Sequence, residues 1–303
     1  AIPLSAAEPA AKKKAAAPVK VAPNLNVAPP HPAQNPGSRL MLAGPWVPAD
    51  PHTIDYAAMP RIPVEHIVVS DVRDRQGVNQ HNYLIHFAGK FWAMWSDGPQ
   101  IEDRVGQIVK FSTSADGRTW AAPKPMTGNP KGFGPDSPIY NTRKPEGFRY
   151  ISRGFWVREG RLLALVSLDE AAGFFGPSLE LRAFRWEEAR QTWDDIGVVQ
   201  DNAINNFPPQ QLPGGEWAMT RRMHDYNTTG VQFLIGGVKA LNAWASIPVV
   251  RGAGGEVALK AEEPIWYALP DRNLVALFRD NGGSKFLYRA FSTDNGRTWS
   301  APV

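Results

Sequence analysis

The sequence of 303 residues contains no cysteine, which excludes disulfide bonds, thiolate-bound zinc and a thiol nucleophile. It contains no apolar run long enough to cross a bilayer, so we expect no membrane span. A glycine-rich phosphate loop is also missing, because Gly252–Gly255 reads as a turn. The six histidines lack the spacing of metal ligands, and we therefore expect no metal ion and no other cofactor.

Excess basic charge is confined to one end of the chain. The net charge is +4, with 33 basic and 29 acidic side chains. Residues 1–40 hold five of the basic side chains and one of the acidic ones, which leaves 28 of each sign in residues 41–303. A nucleic-acid-binding surface normally has a clustered excess of Lys and Arg. The composition therefore argues against a nucleic-acid partner.

Residues 1–44 are rich in Ala, Pro and Lys, and ten of the 28 prolines lie within the first fifty residues. Such a segment buries too little apolar surface to offset the entropy of ordering, so we predict a disordered or extended region. Its first four residues are too short for the core of a signal peptide, but its composition suits what remains after signal cleavage. We therefore expect a secreted or periplasmic protein whose folded domain covers residues 45–303.

The folded part is predicted to be all-β. From about Met41 onward, short runs of aromatic and β-branched residues are separated by Gly, Pro, Asn and Asp, as in a series of strands and turns. The stretch Leu181–Arg190 is compatible with a short helix, but no long amphipathic helix is present. The helix–strand alternation of a parallel α/β fold is also absent.

Two stretches share a turn motif. Ser292–Trp299 reads S-T-D-N-G-R-T-W, and Asp116–Trp120 keeps the core D-G-R-T-W. In such a turn the Asp and Ser oxygens accept hydrogen bonds from backbone N–H groups, and the Gly supplies a positive φ. Trp186–Trp193 is a degenerate third copy that lacks both the Asp and the Gly. A recurring strand–turn–strand signature indicates a repeat architecture of antiparallel blades.

These turns match the Asp-box, or BNR repeat, and from Arg61 to Trp299 the chain resembles the sialidase (neuraminidase) superfamily. The resemblance implies a sialidase-type β-propeller of the six-bladed family. At roughly 40–60 residues per blade, residues 45–303 fill about four to five blades. We therefore expect the chain to cover part of the ring, with a smaller propeller as the alternative.

The resemblance also implies site residues. Arg61, in the triplet Arg-Ile-Pro, and Arg279 are expected to bind the carboxylate of the substrate, as planar guanidinium groups do. Asp103 is expected to act as the general acid/base, and Glu263 as the base for a nucleophilic tyrosine. The nucleophilic tyrosine and the third carboxylate-binding arginine of the family have no positional match in the sequence.

Several other polar residues are candidates for the pocket. Asp97 and Glu102 rival Asp103 for the acid/base role, because all three precede the first turn motif. The remaining possible pocket residues are His81, Arg153, Arg222 and Tyr226.

The first hypothesis is an exo-glycosidase resembling exo-α-sialidase, which hydrolyses a terminal carboxylate-bearing sugar, sialic acid or similar, from a glycan or glycoconjugate. One alternative is a propeller-type polysaccharide lyase for uronate glycans, which needs a His/Tyr acid–base pair. The other is a non-catalytic carbohydrate-binding propeller. No feature of the sequence predicts the oligomeric state. The residues that keep the lyase alternative open are His81, Tyr83, His224 and Tyr226.

Overall fold

The computed structural model describes residues 55–59, 61–75, 77–99, 105–128, 148–170, 175–225, 230–249, 259–269, 271–282 and 287–302. These residues form fifteen β-strands and one 3₁₀ turn, Arg73–Arg75, and they contain no α-helix. The prediction of an all-β fold is confirmed. Within the same ranges, no helix is long and apolar enough to cross a membrane. The predicted N-terminal segment, residues 1–44, lies outside the described residues.

The strands form four antiparallel sheets, each a meander of consecutive strands. The first contains β1 (Gly77–Phe87), β2 (Lys90–Pro99), β3 (Ile108–Ser114) and β4 (Lys124–Pro125). The second contains β5 (Phe148–Arg158), β6 (Arg161–Glu170), β7 (Glu180–Glu187) and β8 (Thr192–Asp201). The third contains β9 (Gln210–Gln211), β10 (Trp217–Arg221), β11 (Gln232–Gly236) and β12 (Trp244–Pro248). The fourth contains β13 (Ala261–Ala268), β14 (Leu274–Asp280) and β15 (Leu287–Ser292).

Each sheet is one blade of a β-propeller. The strands of a blade pair with their sequence neighbours through short turns, and consecutive blades pack face to face. The described residues therefore form four blades of a propeller, which confirms the blade architecture. A ring of six blades stays a prediction.

Apolar side chains fill the space between neighbouring blades, so a central strand buries both of its faces. Fully burying one such side chain contributes about 1.5–3 kcal/mol. On β5, for example, Phe155 packs towards the first blade and the next residue, Trp156, towards the third. The ring contacts that link consecutive blades include Trp92 with Trp186, Trp156 with Trp217, and Phe233 with Trp299.

The interpretation of Leu181–Arg190 as a short helix is wrong, because most of it forms strand β7. Leu181 and Ala183 pack towards the third blade, whereas Phe184 packs towards the first. Register shifts at Leu181/Arg182 and Ala183/Phe184 interrupt the alternation of this strand, so its apolar residues do not follow the strict period of two that identifies a strand.

The two predicted turns make the same hydrogen bonds. In the fourth blade, Ser292 Oγ accepts from the N–H of Gly296 at 2.8 Å, and Asp294 Oδ1 accepts from the N–H of Thr298 at 2.9 Å. Trp299 Nε1 then donates to the carbonyl of Gly296 at 3.0 Å. The first blade repeats this arrangement with Ser114, Asp116 and Trp120. The backbone N–H groups of Thr119 and Arg118 hold the pKa of Asp116 down, at about 2.

A turn at the same position in the third blade carries no such motif. It joins β11 to β12, and Trp244 Nε1 donates to the carbonyl of Leu241, three residues earlier, at 2.8 Å. The same offset of three residues separates Trp299 from Gly296. Neither the Ser nor the Asp of the motif is present between Gly236 and Trp244. The hydrogen bond from the tryptophan side chain is therefore present in this turn, although the sequence of the turn lacks the motif.

Candidate functional site at the propeller hub

Polar side chains from all four blades collect beside the contact between β1 and β5. Strand β1 packs against β5, and the segment that precedes β9 bridges to the end of β10 through Ile204 and Arg222. We call the collected residues the hub cluster. Its members are His81 and Tyr83 on β1, Arg149 and Arg153 on β5, Arg222 after β10, and Glu262 on β13.

A β-bulge in β1 places His81. The pairing of β1 with β2 shifts register between Gln80 and Tyr83, and His81 has a φ of +51°. Its Nδ1 lies 3.3 Å from the buried Ser96 hydroxyl, which accepts a hydrogen bond from the N–H of Ser152 at 2.9 Å. The bulge therefore holds the imidazole against a hydroxyl that links the first blade to the second.

Tyr83 reaches from the first blade to the third. Its hydroxyl donates to the backbone carbonyl of Asn206 at 2.7 Å and lies within hydrogen-bonding range of Arg153. Burial raises the pKa of Tyr83, although the charges of Arg153 and Arg222 oppose this rise. The phenol is therefore protonated at neutral pH and is positioned beside two cations.

Three arginines that are almost fully buried surround this pair. Arg149 forms an ion pair of 2.9 Å with Asp169, and both side chains are 0% exposed. Arg153 Nε donates to Ser167 Oγ at 3.2 Å. Burying a guanidinium costs several kcal/mol unless nearby groups compensate it. Positive charge is thus concentrated in a place from which water is largely excluded.

Arg222 connects the arginines to the fourth blade. Its guanidinium lies 4.0 Å from the carboxylate of Glu262 and 5.5 Å from the centre of the Phe175 ring. The same ring lies 5.9 Å from the guanidinium of Arg149. Phe175 therefore contacts two like-charged groups through its ring, an arrangement in which the aromatic quadrupole stabilises both.

The electrostatic state of His81 follows from these neighbours. Burial lowers its pKa from 6.5 to about 3, with further lowering by the charges of Arg153, Arg222 and Arg149. The imidazole is therefore neutral at pH 7. A neutral imidazole can accept a proton, and an anion bound among the arginines would favour that uptake by reducing the local positive charge.

Several solved structures have a similar fold at low sequence identity. A protein of unknown function from Dyadobacter fermentans is 16% identical, with a TM-score of 0.53, over 78% of this chain and 71% of that one. Zg3597, a family 117 glycoside hydrolase from Zobellia galactanivorans, is 13% identical, with a TM-score of 0.51, over 78% and 73%. The NanB sialidase from Streptococcus pneumoniae is 12% identical, with a TM-score of 0.54, over 80% and 54%.

The chain has the fold of sialidase-type propellers. No family model and no curated protein matches the sequence. At identities of 12–16%, the similarity shows the fold alone, so the roles of individual residues rest on the geometry of the site.

The predicted pair Glu263 and Arg279 does meet, but near the surface. Arg279 donates to Glu263 at 2.8 Å and to Glu262 at 2.7 Å. The side chains of Arg279 and Glu263 are 53% and 46% exposed, whereas Glu262 is 3% exposed. The carboxylate that faces the buried arginines is therefore Glu262, which the sequence analysis did not select. The role predicted for Glu263 stays a prediction.

The other predicted residues are placed as follows. Arg61 lies exposed in an irregular segment before β1, and no ion pair or hydrogen bond among the described residues joins it to Arg279. Asp97 is buried and forms ion pairs with Arg75 at 2.6 Å and with Lys110 at 3.1 Å, so its carboxylate has a structural role rather than that of the general acid/base. Asp103, Glu102 and Tyr226 lie outside the described residues.

His81, Arg153 and Arg222 are brought together, although they are separated by up to 141 positions along the chain. His224 is directed elsewhere, because its backbone N–H donates to Asn202 Oδ1 at 2.8 Å and its ring contacts the same oxygen. Of the histidines and tyrosines that could form the acid–base pair of a lyase, His81 and Tyr83 therefore lie near Arg153 and Arg222.

Proposed function

We propose that this protein is a carbohydrate-active enzyme that binds a carboxylate-bearing saccharide at the hub cluster and cleaves the neighbouring glycosidic bond. The observation that carries the proposal is the meeting of three buried arginines with a neutral imidazole and a protonated phenol. Cations in a desolvated site bind anions, and groups that can accept or donate a proton perform acid–base chemistry.

The charges of the hub arginines favour binding of an anionic substrate over a neutral one. Two unit charges 4 Å apart interact by about 4 kcal/mol at an effective dielectric constant near 20, the value typical of protein sites. Arg153 and Arg222 both lie close enough to His81 to affect its protonation. A carboxylate bound between them would gain from both charges, whereas a neutral sugar would gain from neither.

A saccharide is the favoured anion because of the fold. The similar structures include a glycoside hydrolase of family 117 and a sialidase, and both are propellers that act on glycans. In propellers the inner strands of the blades surround a common centre, so the hub is where a substrate can contact several blades at once.

The sialidase-like form of this proposal depends on residues outside the hub. It uses Arg61 and Arg279 to hold a terminal sialic acid or similar sugar, Asp103 to protonate the leaving oxygen, and Glu263 to activate a tyrosine. Two carboxylates already occupy the guanidinium of Arg279. Arg279 is also half-exposed, whereas the hub arginines are almost fully buried, where solvent screens charge interactions less, so the hub arginines are the stronger candidates for anion binding.

The test compares two neighbouring arginines. Arg222 belongs to the hub, whereas Arg221 points to the opposite face, where it donates to the carbonyls of Asn202 and Asp201 at 3.1 and 3.0 Å. The assay measures new reducing ends from a panel of fluorogenic sialosides, uronate polysaccharides and neutral glycans. We expect cleavage of acidic glycans, with kcat/KM lowered by about 10²-fold or more in Arg222→Gln, as for loss of one charge-stabilising donor. Arg221→Gln is expected to change it by less than about threefold.

Thermal melts of both variants separate loss of the site from loss of the fold. The proposal fails if folded Arg222→Gln keeps the wild-type rate, or if neutral glycans are cleaved as fast as acidic ones. Binding of acidic glycans without any turnover would instead support the non-catalytic alternative.

A further inference from the structure

We propose that the hub cluster cleaves its substrate by β-elimination, with His81 taking the proton from the sugar ring and Tyr83 protonating the leaving oxygen. The substrate class is then a polysaccharide of uronic acids that are substituted at C4. This inference rests on the proposed function, because it requires the carboxylate to bind at the hub arginines.

The placement of the two groups on one strand carries the argument. His81 and Tyr83 both approach Arg153 and Arg222, while the residue between them, Asn82, is exposed on the other face. Residues two apart on a strand are separated by about 7 Å, and the bulge at this point adjusts that spacing. Such a separation suits one group acting on the C5 hydrogen and another acting on the oxygen attached to C4.

The charges also suit elimination. The hydrogen at C5 is acidic only when the adjoining carboxylate is neutralised, and Arg153 and Arg222 supply that neutralisation. The imidazole of His81 is neutral and can accept the proton, while the partly buried phenol of Tyr83 retains its own proton at neutral pH. The facing charged groups are Arg149 and Arg153 on β5 and Arg222 after β10.

The step balances without a co-reactant. The C5–H bond breaks and its proton moves to His81, and the electron pair of that bond forms the C4=C5 double bond. The C4–O bond breaks, and the departing oxygen takes the proton of Tyr83. The imidazolium then returns its proton to the phenolate, directly or through solvent, which restores the starting state.

Hydrolysis through a tyrosine nucleophile fits the described contacts less well. Such a nucleophile needs a neighbouring base, usually a carboxylate. The contacts of the Tyr83 hydroxyl are the carbonyl of Asn206 and the guanidinium of Arg153. Two carboxylates that contact hub arginines, Asp169 and Glu262, are each bound to an arginine, Asp169 to Arg149 and Glu262 to Arg279. Both are therefore held as counter-ions rather than as acid–base groups.

The primary experiment measures two signals from the same reaction of the intact chain. Uronate polysaccharides of several types are incubated with the protein, and the same polymers with their carboxyl groups reduced to alcohols serve as controls. Elimination predicts one ultraviolet-absorbing unsaturated end for each new reducing end, and no cleavage of the reduced polymers.

The possible outcomes distinguish the two proposals. New reducing ends without ultraviolet absorbance would overturn elimination and leave the proposed function standing. No cleavage of any acidic glycan in the panel would overturn both. Equal yields of the two signals, lost on carboxyl reduction, would support both.

A second experiment assigns the two roles by exchange in heavy water. Tyr83→Phe is expected to lower turnover by at least about 10²-fold and still to exchange the C5 hydrogen of bound substrate with solvent deuterium, because His81 remains. His81→Gln is expected to lose both turnover and exchange. His86→Gln, an exposed histidine on the same strand, is the matched control and is expected to behave as wild type. Exchange that persists in His81→Gln but disappears in Tyr83→Phe would overturn the assignment.

Discussion

The ion pair between Arg149 and Asp169 offers the sharpest test of the hub as a desolvated structure. Both side chains are fully buried, and Asp169 accepts from Arg149 at 2.9 Å and from the N–H of Gly176 at 3.0 Å. Asp169→Asn keeps the shape of the side chain but removes its charge. Arg149 then loses the charge of Asp169, and breaking a buried ion pair by removing one partner costs about 3–5 kcal/mol.

The magnitude is large enough to measure without ambiguity. For a domain of this size each kcal/mol lowers the melting temperature by about 2–4 °C, so Asp169→Asn should melt roughly 6–20 °C below wild type. Urea titration with the slope m held in common gives the free energy of unfolding directly. Activity is expected to fall as well, because the N–H of Gly176 adjoins Phe175, which packs against Arg149 and Arg222.

Two controls make the result interpretable. Asp194→Asn removes the exposed partner of Arg190 on the same blade, and exposed pairs of this kind contribute less than about 1 kcal/mol. The double variant Arg149→Met/Asp169→Leu removes both buried charges and should recover most of the lost stability. If Asp169→Asn unfolds within about 1 kcal/mol of wild type, the pair is hydrated and the desolvated hub is refuted.

Two further predictions concern the neighbours of this pair. Gly154→Ala should lower the free energy of unfolding by more than about 2 kcal/mol, because φ at this glycine is +105° and an added Cβ would lie 2.8 Å from Pro208. The control is Gly160→Ala, where φ is +70° and the space is open. It should lower the free energy by only about 1 kcal/mol in the same urea titration. The pKa of His81 is lowered from 6.5 to about 3, so the unfolded chain binds a proton that the folded chain does not. Wild type should therefore lose stability relative to His81→Gln as the pH falls from about 6.5 to about 3; parallel curves for the two proteins would contradict the burial of His81.

The turns of the first and fourth blades were predictable because their chemistry is local. Ser292 and Asp294 bond to N–H groups within four residues, and glycine supplies the positive φ that the turn needs. The equivalent turn of the third blade keeps only the bond from Trp244 to Leu241. One tryptophan without its Ser, Asp and Gly is too common to be recognised, so that turn is visible only in the structure.

Part of the hub cluster could also be predicted from the sequence. Arg149 and Arg153 are four residues apart in a mainly apolar stretch, and both are buried. Charged residues are rarely fully buried unless they are paired, so two arginines this close together in such a stretch indicate a site. The face that each occupies was not predictable, because the bulge between Ser152 and Gly154 falls at Arg153.

The rest of the hub depends on bulges, which the sequence does not show. Glu263 was selected through the sialidase resemblance, and nothing in that resemblance pointed to its neighbour Glu262. The first strands of three blades each change register beside a hub residue: β1 between Gln80 and Tyr83, β5 between Ser152 and Gly154, and β13 between Glu262 and Ile265. Each bulge inserts one residue and reverses the alternation that follows it. Alternation extended through such a strand therefore does not predict which face a later side chain occupies; at Glu263, within the bulge of β13, φ is +47°.

The bulges also bear on function. Other register shifts occur in the pairing of β7 with β8, which lies at the outer side of its blade, where bulges are common. A bulge in an inner strand interrupts a ladder that is otherwise buried, and it costs hydrogen bonds. Three inner strands nevertheless contain a bulge next to a residue of the hub cluster: His81 in β1, Arg153 in β5 and Glu262 in β13. Bulges that were merely tolerated would be scattered along the strands, so their position beside three residues of the hub cluster supports the proposal that these side chains bind a common ligand.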